Sequence, residues 1–297
     1  MTPAKAEVRI AINNVLFLTD FSQPSEAALP FALSIAREYG AKVYAFHVLI
    51  PAVYAYATPE TAAIAIEKQE EDAVAGMQRV NSQLAGLAHE SIVERGTGVW
   101  PAIAAAIKEY AIDLIVVGTH GRTGAQKLLL GSVAEEIFRR STVPVLTIGP
   151  HEKHGAHRGA KFHHVLFATD FSTDSLAAAP YALSMAQENE ARLSLLHVMR
   201  EPEVFDKKAE DVISSANFRL HEIVPEGAES WCRPDAVVRF GKAAEQILRI
   251  AKERDADLIV LGIRGSHGVP GASTHLERAT AHRVVANAPC PVLTVRG

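Results

Sequence analysis

The sequence predicts a doubly wound α/β fold that occurs twice, and three observations support this prediction. Short apolar runs typical of buried strands alternate with segments that have helical spacing. The same succession of segments returns in the second half of the chain, in the same order. Strands that alternate with helices are joined by right-handed crossovers, which favours a mainly parallel sheet of five strands in each copy.

The repeat defines the domain organisation. Three segments recur in order: VLFLTDFS (15–22) as VLFATDFS (165–172), DLIVVG (113–118) as DLIVLG (257–262), and VPVLTI (143–148) as CPVLTV (290–295). With 297 residues, each copy has the size of an ordinary domain. We therefore predict domains at 1–150 and 151–297, with a linker over 151–162.

Each element of the first copy has its own signal. The first helix has apolar spacing at Leu29 and Leu33, a capped start near Ser22 and an end at Gly40. A later helix opens with Pro101, which suits a first helical turn. The predicted strands are Val15–Leu18, Lys42–Leu49, Ile92–Arg95, Leu114–Val117 and Val143–Ile148. The predicted helices are Ser25–Tyr39, Glu60–His89, Trp100–Tyr110 and Val133–Arg140.

A glycine-rich stretch after the fourth strand is typical of an anion site. Gly118, Gly121 and Gly131 let a polyphosphate approach the backbone, and clustered N–H groups supply donors. Ser132 is a suitable N-cap for the next helix, with Glu135 completing a capping box. The positive end of that helix would face the glycines. A plain glycine-rich turn before a capped helix is the alternative interpretation.

The strand ends favour a nucleotide site over that alternative. Thr19, Asp20, Val48 and Gly118 all lie at carboxyl ends of predicted strands. Ligands of doubly wound sheets bind beyond these ends, where the strand order reverses.

Composition and charge exclude several partner classes. A formal charge of -4 and a pI near 6.4 give no general attraction to nucleic acid or anionic membranes. Neither a signal peptide nor a transmembrane run is evident, so we expect a cytoplasmic protein. Cys232 and Cys290 have no metal or redox spacing. Histidines in the linker (His151, His154 and His157) could bind a metal, but a flexible segment is favoured and we predict no metal site.

Taken together, these motifs resemble the universal stress protein family in a tandem form. The family's ATP-binding pattern is Gly, two residues, Gly, nine residues, Gly, then Ser or Thr. Here it is complete as Gly118, Gly121, Gly131 and Ser132. TDFS after the first strand, His47-Val48, DLIVVGTHG and PVLTI also match, across nearly all of both halves. The resemblance implies two Rossmann-like domains and ATP as the ligand, with Mg²⁺ left open.

The resemblance also implies roles for individual residues of the first copy. Leu18, Thr19 and Asp20 would lie against the nucleoside, the Asp20 carboxylate accepting its hydrogen bonds. The backbone of Val48 would pair with the adenine edge. The residues bordering ribose and phosphates would be Val117, Gly118, Gly121, Gly131, Ser132 and Val133, with Arg122 close enough to assist. Turn formation by Asp20 and core packing by Val48 are the alternatives. For His47 and His120, structural roles are favoured over catalytic ones.

The second copy departs from the pattern at its phosphate end. Arg278 stands opposite Gly131, and Ala279 stands opposite Ser132. The loop is three residues longer, and Thr274 with Glu277 could cap a helix one turn earlier. We therefore predict that the first copy binds ATP much more strongly. Weaker candidates in the second copy are Thr169, Asp170, Val198, Gly262, Gly265 and Arg278. The alternative to a blocked phosphate site is that Arg278 holds a phosphate.

Three functions follow, in order of preference. The first is a stress protein in which ATP regulates shape or partner binding without catalysis. The second is a slow ATPase or nucleotidyl transferase that uses Asp20, His120 and Arg122, although the chain has no GxxxxGK[ST] loop. The third is an adaptor that needs no nucleotide.

Pairing of the two terminal strands would form an internal pseudo-dimer, and a homodimer is also left open. The segment Pro51–Tyr56 is a candidate lid or contact surface.

Overall fold

The computed structural model describes residues 8–50, 58–119, 130–150, 160–200, 207–228, 231–264 and 272–297. The chain divides into two compact units. One unit is Ala11–Pro150, and the other joins Met1–Ile10 to His151–Gly297.

The first unit has alternating strands and helices. Its strands are β1 (Asn14–Leu18), β2 (Lys42–Leu49), β3 (His89–Arg95), β4 (Leu114–Gly118) and β5 (Val145–Ile148). Its described helices are α1 (Gln23–Glu26), α2 (Leu29–Tyr39), α3 (Pro59–Leu84), α4 (Val99–Glu109) and α5 (Ser132–Arg140).

The second unit repeats this succession. Its strands are β6 (His164–Ala168), β7 (Arg192–Met199), β8 (Pro234–Phe240), β9 (Leu258–Ile263) and β10 (Val292–Arg296). Its described helices are α6 (Thr173–Leu176), α7 (Ala179–Glu188), α8 (Lys207–Glu222), α9 (Ala243–Glu253) and α10 (Ala272–Asn287).

Both sheets have the doubly wound order that the sequence predicts. The strand order is β3-β2-β1-β4-β5 in the first unit and β8-β7-β6-β9-β10 in the second. The strand pairs within each unit are parallel. In the first unit, Leu16 of β1 lies opposite both Tyr44 of β2 and Ile115 of β4. The strand order therefore reverses at β1, and in the second unit it reverses at β6.

Two predicted helices differ from the structure in their bounds. The helix predicted at Ser25–Tyr39 is divided into α1 and α2, because Pro30 lies in the first turn of α2 and has no N–H to continue α1. Ser22 does cap α1, since its hydroxyl accepts from the Ser25 amide at 3.4 Å. The helix predicted at Glu60–His89 ends at Leu84, and Gly86 then turns the chain with φ +90°.

The ends of the second unit also differ from the predicted domain bounds. The Val8 amide donates to Gln187 Oε1, and the Ile10 amide donates to Ser184 Oγ, both at 3.2 Å. Residues before Ala11 are therefore hydrogen-bonded to side chains of α7. At the end of the predicted linker, Ala160 and Phe162 are each 1% exposed and belong to the core of the second unit. The histidines predicted for the linker lie outside the described residues.

A buried network of hydrogen bonds holds the start of β6. His164 Nδ1 lies 2.9 Å from the Arg254 carbonyl oxygen, so this nitrogen carries the proton and donates. The Ser194 hydroxyl donates to His164 Nε2 at 2.8 Å and accepts from Arg254 Nη1 at 2.9 Å. Burial lowers the pKa of His164, and the charges of Arg192 and Arg254 lower it further, although the bond to the Arg254 carbonyl opposes them.

This lowered pKa predicts that acid weakens the second unit. Below the ordinary value of 6.5 the unfolded chain binds a proton that the folded His164 does not. The free energy of unfolding therefore falls as the pH drops through about 6.5 toward the folded pKa. We expect His164→Asn, which copies Asn14 of the first copy, to reduce that dependence in urea titrations between about pH 7 and pH 5. His221→Asn, at an exposed position on α8, is the control. If the unfolding free energy of both variants depends on pH with the same slope, the acid dependence does not come from His164.

Candidate functional site

Strand β1 ends in a tight polar turn. The Thr19 amide donates to the Phe46 carbonyl at 3.1 Å, which keeps the chain against β2 for one more residue. Phe21 has φ +61°, and its amide donates to Thr19 Oγ1 at 3.0 Å. Asp20 Oδ1 accepts from the Ser22 amide at 3.0 Å and also from the Ser22 hydroxyl. The turn therefore fixes the Asp20 carboxylate at the carboxyl end of β1.

The turn role and a ligand role of Asp20 are compatible. A carboxylate has about four acceptor positions, and the bonds from Ser22 engage only one of its oxygens. Asp20 is half-buried rather than enclosed. The side chain can thus close the turn and accept further donors at the edge of the sheet.

His47 supports the same turn from the next strand. Its Nδ1 lies 2.8 Å from the Thr19 carbonyl oxygen, and its ring centroid lies 4.5 Å from that of Phe21. The side chain is buried, at 8% exposure. These contacts give His47 a structural role, in agreement with the favoured interpretation. His120 lies outside the described residues.

The main chain of Val48 faces the crevice above β1. In β2, Lys42 and Phe46 direct their backbone groups toward β1, whereas Val43 and Leu49 direct theirs toward β3. Because the direction alternates along a strand, the N–H and C=O of Val48 point to the β1 side. Strand β1 ends at Leu18, opposite Phe46. The Val48 backbone groups therefore point into the space beyond the end of β1.

The floor of this crevice is apolar. Leu18 and Val117 are buried at 7% and 5% exposure and belong to one hydrophobic cluster. Val48 and Val99 pack against that cluster while keeping some exposure. The structure thus brings the predicted nucleoside-facing residues together at the carboxyl edge of the sheet.

Gly118 has a role that the sequence did not reveal. A Cβ at this position would lie 2.5 Å from the Pro24 carbonyl oxygen and 3.2 Å from Ser25 Cα. The prediction that Gly118 makes room for a polyphosphate is therefore incomplete, because the start of α1 already requires a glycine here. The same holds for Gly262, where a Cβ would lie 2.3 Å from the Asp174 carbonyl oxygen.

The N-terminus of α5 lies beside the end of β4. The Gly131 amide donates to the Thr119 carbonyl at 2.7 Å, which ties the helix start to the residue after Gly118. Gly131, not Ser132, is the N-cap, because the Glu135 amide donates to the Gly131 carbonyl at 2.8 Å. The predicted N-cap is wrong by one residue and the predicted capping box is wrong, because a glycine N-cap has no side chain and none of the described side chains caps this helix. Ser132 and Val133 are exposed in its first turn.

This start of α5 is suited to an anion. The first N–H groups of a helix have no partner within it, and its dipole is positive at that end. An N-cap without a side-chain oxygen leaves these donors to solvent or a ligand. Gly121 and Arg122, which were predicted to extend this phosphate site, lie outside the described residues.

The second unit contains a cavity of about 130 Å³ at the equivalent edge. Part of its lining consists of Ala168, Thr169, Asp170, Val198, Leu261 and Gly262. In sequence order these residues match Leu18, Thr19, Asp20, Val48, Val117 and Gly118 of the first copy. The turn is repeated too, since the Ser172 amide donates to Asp170 Oδ1 at 2.9 Å and Phe171 has φ +64°.

The two copies differ where the phosphates were predicted. Helix α10 is already helical at Ala272, seven residues before Ala279, the position equivalent to the start of α5 (279 minus 272). Thr274 therefore lies inside the helix and does not cap it. The cavity meets α10 at Thr280 and Ala281, about two turns into the helix. Backbone N–H groups at such positions are engaged within the helix, so the backbone of α10 offers no free donor to the cavity at Thr280 and Ala281. Gly265 lies outside the described residues, as does the side chain of Arg278.

An ion pair of the second cavity was missed at the sequence level. Arg264 Nε lies 3.3 Å from Asp174 Oδ2, and both residues line the cavity. In the first copy the equivalent residues are His120 and Pro24. Two charged replacements at matched positions of a repeat are the signal that could have found the pair.

The described part of the chain contains neither a candidate metal cluster nor a candidate membrane helix. Within it, no group of three or more His, Cys, Asp or Glu side chains could hold a metal ion. No helix in the same ranges is long and apolar enough to cross a membrane.

Comparison with known proteins identifies the family. The family model described as "Universal stress protein family" matches residues 11–149 and 161–296. A universal stress protein of Thermus aquaticus is 39% identical over 141 residues, which is 46% of this chain and 99% of that protein. One from Mycolicibacterium smegmatis is 26% identical over 295 residues, covering 95% of this chain and 96% of that protein.

A solved structure has the same tandem fold. The crystal structure of a universal stress protein from Archaeoglobus fulgidus superposes with a TM-score of 0.71 at 24% identity. The match covers 97% of this chain and 99% of the other. With the family model matching both copies, the chain belongs to the universal stress protein family and carries two of its domains in tandem.

Proposed function

We propose that the first copy binds ATP in the crevice at the carboxyl ends of β1 and β4, and that nucleotide occupancy regulates the protein in a cytoplasmic stress response. The observation that carries this proposal is the uncapped N-terminus of α5, tied to the end of β4 by the 2.7 Å bond from Gly131 to Thr119. It places anion-binding donors next to an apolar floor and a carboxylate.

The base is selected by the main chain of Val48. Its N–H and C=O face the crevice, as the alternation along β2 requires. Adenine presents a ring-nitrogen acceptor beside an amino donor, which complements a backbone N–H and C=O. Guanine presents the opposite pair on that edge. Its N–H donor would face the Val48 N–H, and its carbonyl acceptor would face the Val48 C=O. Leu18, Val48 and Val117 supply the apolar surface for the ring.

Asp20 binds the ribose, and α5 binds the phosphates. The Asp20 carboxylate is held at the end of β1 by Ser22 and accepts from the ribose hydroxyls. The first-turn N–H groups at Ser132 and Val133 donate to phosphate oxygens. Gly121 and Arg122 complete the phosphate site in this proposal, and Mg²⁺ binds through the phosphates rather than through a protein cage.

The second copy binds triphosphate more weakly. Its cavity faces the side of α10, where backbone N–H groups are already engaged, and not the positive end of a helix. The two copies differ in triphosphate binding because α5 begins at the phosphate site, whereas the equivalent helix α10 is already helical seven residues earlier.

Thermal unfolding with different nucleotides tests the proposal. ATP at a hundredfold excess over its Kd should stabilise the first copy by about 2.7 kcal/mol. ADP should stabilise it less, and GTP should give little change because of Val48. Equal thermal stabilisation by ATP and GTP would show that the main chain of Val48 does not select the base. No shift with millimolar ATP would favour the nucleotide-independent adaptor.

The same assay with Asp20→Asn isolates the carboxylate. Asparagine can still accept from the Ser22 amide, so the turn should survive while the charged acceptor is lost. We expect the affinity for ATP to fall about tenfold, or roughly 1.4 kcal/mol. Glu26→Gln, which removes an equal charge from the exposed face of α1, should leave it unchanged. Steady turnover of ATP that disappears in Asp20→Ala would instead favour the slow enzyme.

A further inference from the structure

The cavity of the second copy is suited to a flat, apolar ligand. Apolar side chains from three strands and two helices form most of its wall, among them Leu196, Val198, Ile247 and Leu261. Gly262 lines the cavity at the end of β9, where α6 packs directly against its backbone. The volume of about 130 Å³ is below the range of ordinary ligand pockets, so the cavity can enclose a planar ring, while Asp170 lies at its exposed edge.

The polar groups of this cavity select hydrogen-bond donors. Partial burial raises the pKa of Asp170, but hydrogen bonds from Ser172 and Ser175 outweigh it and hold the pKa below its ordinary 3.8. The carboxylate is therefore ionised at neutral pH and can only accept. A ligand that meets Asp170 must offer donors, such as a pair of hydroxyl groups.

The charges of the described lining disfavour anions. Among the described residues, the charged side chains that line the cavity are Asp170, Asp174 and Arg264, which together carry one net negative charge. The guanidinium of Arg264 is already paired with Asp174 at 3.3 Å. In the first copy Pro24 stands at the position of Asp174, so this second carboxylate is specific to the second copy. An anionic group would meet like charge here without the helix N-terminus that the first copy offers.

We propose that the second copy binds an uncharged nucleoside, with a planar base on the apolar wall and its hydroxyls on Asp170, and rejects the phosphorylated forms. This binding by the second copy does not depend on whether the first copy binds ATP. The Asp174–Arg264 pair discriminates between the ligands, since it adds a carboxylate and neutralises the cation that Arg264 contributes to the described lining.

Matched cavity-filling variants of the full chain can separate the two sites. Ala243, at the first position of α9, lines the cavity, and Val99 begins α4 at the equivalent place in the first copy. Adenosine is the probe, with AMP and ATP as its phosphorylated forms, in isothermal titration. Val99→Phe should bind one adenosine per chain and bind AMP and ATP at least about tenfold more weakly. Ala243→Phe should lose that adenosine site.

A second variant tests the charge argument without filling the cavity. Asp174→Asn keeps the size of the side chain but leaves Arg264 without its paired charge. In the Val99→Phe background it should raise the affinity for AMP about tenfold and leave that for adenosine nearly unchanged. The proposal is overturned if adenosine does not bind Val99→Phe, if AMP binds it as tightly as adenosine, or if Asp174→Asn changes neither. Failure of ATP to bind Ala243→Phe, whose first copy is intact, would count only against the ATP site.

Discussion

Replacing Gly118 with alanine is expected to destabilise the first copy by about 3 kcal/mol, at the upper end of the usual cost of overpacking. The new Cβ would lie 2.5 Å from the Pro24 carbonyl oxygen and 3.2 Å from Ser25 Cα. Both contacts are with backbone, so no side chain can rotate away to relieve them. Either β4 or the start of α1 must move, and both border the proposed ATP site.

Urea unfolding followed by tryptophan fluorescence measures this effect. The chain has two tryptophans, with Trp100 in the first unit and Trp231 in the second. In a Trp231→Phe background, Trp100 alone reports on the first copy. The substitution is mild, because the indole N–H of Trp231 has no hydrogen-bond partner among the described residues.

Gly98→Ala is the matched control for Gly118→Ala. Gly98 has φ −170°, which any residue can adopt, and a Cβ there would lie 3.4 Å from Pro101 Cδ, an ordinary contact. The unfolding free energy of Gly98→Ala should change by no more than about 1 kcal/mol, since Gly98 is the N-cap of α4 and alanine is a poorer N-cap than glycine. Equal effects of the two substitutions would mean that the approach of Pro24 to β4 does not require a glycine.

Gly131→Arg is expected to abolish stabilisation by ATP. Gly131 is the N-cap of α5, and its amide is held 2.7 Å from the Thr119 carbonyl oxygen. An arginine side chain at this point would fill the space before the helix, as the sequence of the second copy has Arg278 at the equivalent position. The predicted loss is the whole shift of about 2.7 kcal/mol that wild type shows at a hundredfold excess over Kd.

Gly131→Ala separates bulk from backbone effects in that experiment. The φ of −61° and ψ of 149° at Gly131 are accessible to alanine, so the helix start should be kept. This variant should retain most of the ATP shift. Undiminished stabilisation of Gly131→Arg by ATP would show instead that an arginine here holds phosphate, which was the alternative for Arg278.

The sequence predicts the fold well because its signals are local and repeated. Buried parallel strands give continuous apolar runs, and the return of TDFS and DLIV fixes their order in both copies. Bounds are less certain where a single residue decides them. Pro30 divides one helix, Gly86 ends another, and Gly131 takes the N-cap position that Ser132 was predicted to hold.

The site is predicted only in part, because some of its chemistry depends on contacts distant in sequence. Thr19, Asp20 and Val48 could be placed from their strand ends. The packing of Gly118 against Pro24 could not be predicted. A glycine in this motif is needed both where another backbone segment packs against it and where a phosphate binds, and the motif alone does not distinguish the two. The Asp174–Arg264 pair joins residues far apart in the chain, and α10 is already helical before Thr274, where the sequence offered a cap.

Equilibrium dialysis of the full chain against saturating ATP tests the central claim most directly. The account predicts one ATP per chain, retained in Ala243→Phe and lost in Gly131→Arg, because the uncapped α5 holds the triphosphate and the side of α10 does not. Two equivalent sites per chain, or a single site that survives Gly131→Arg and disappears in Ala243→Phe, would contradict it.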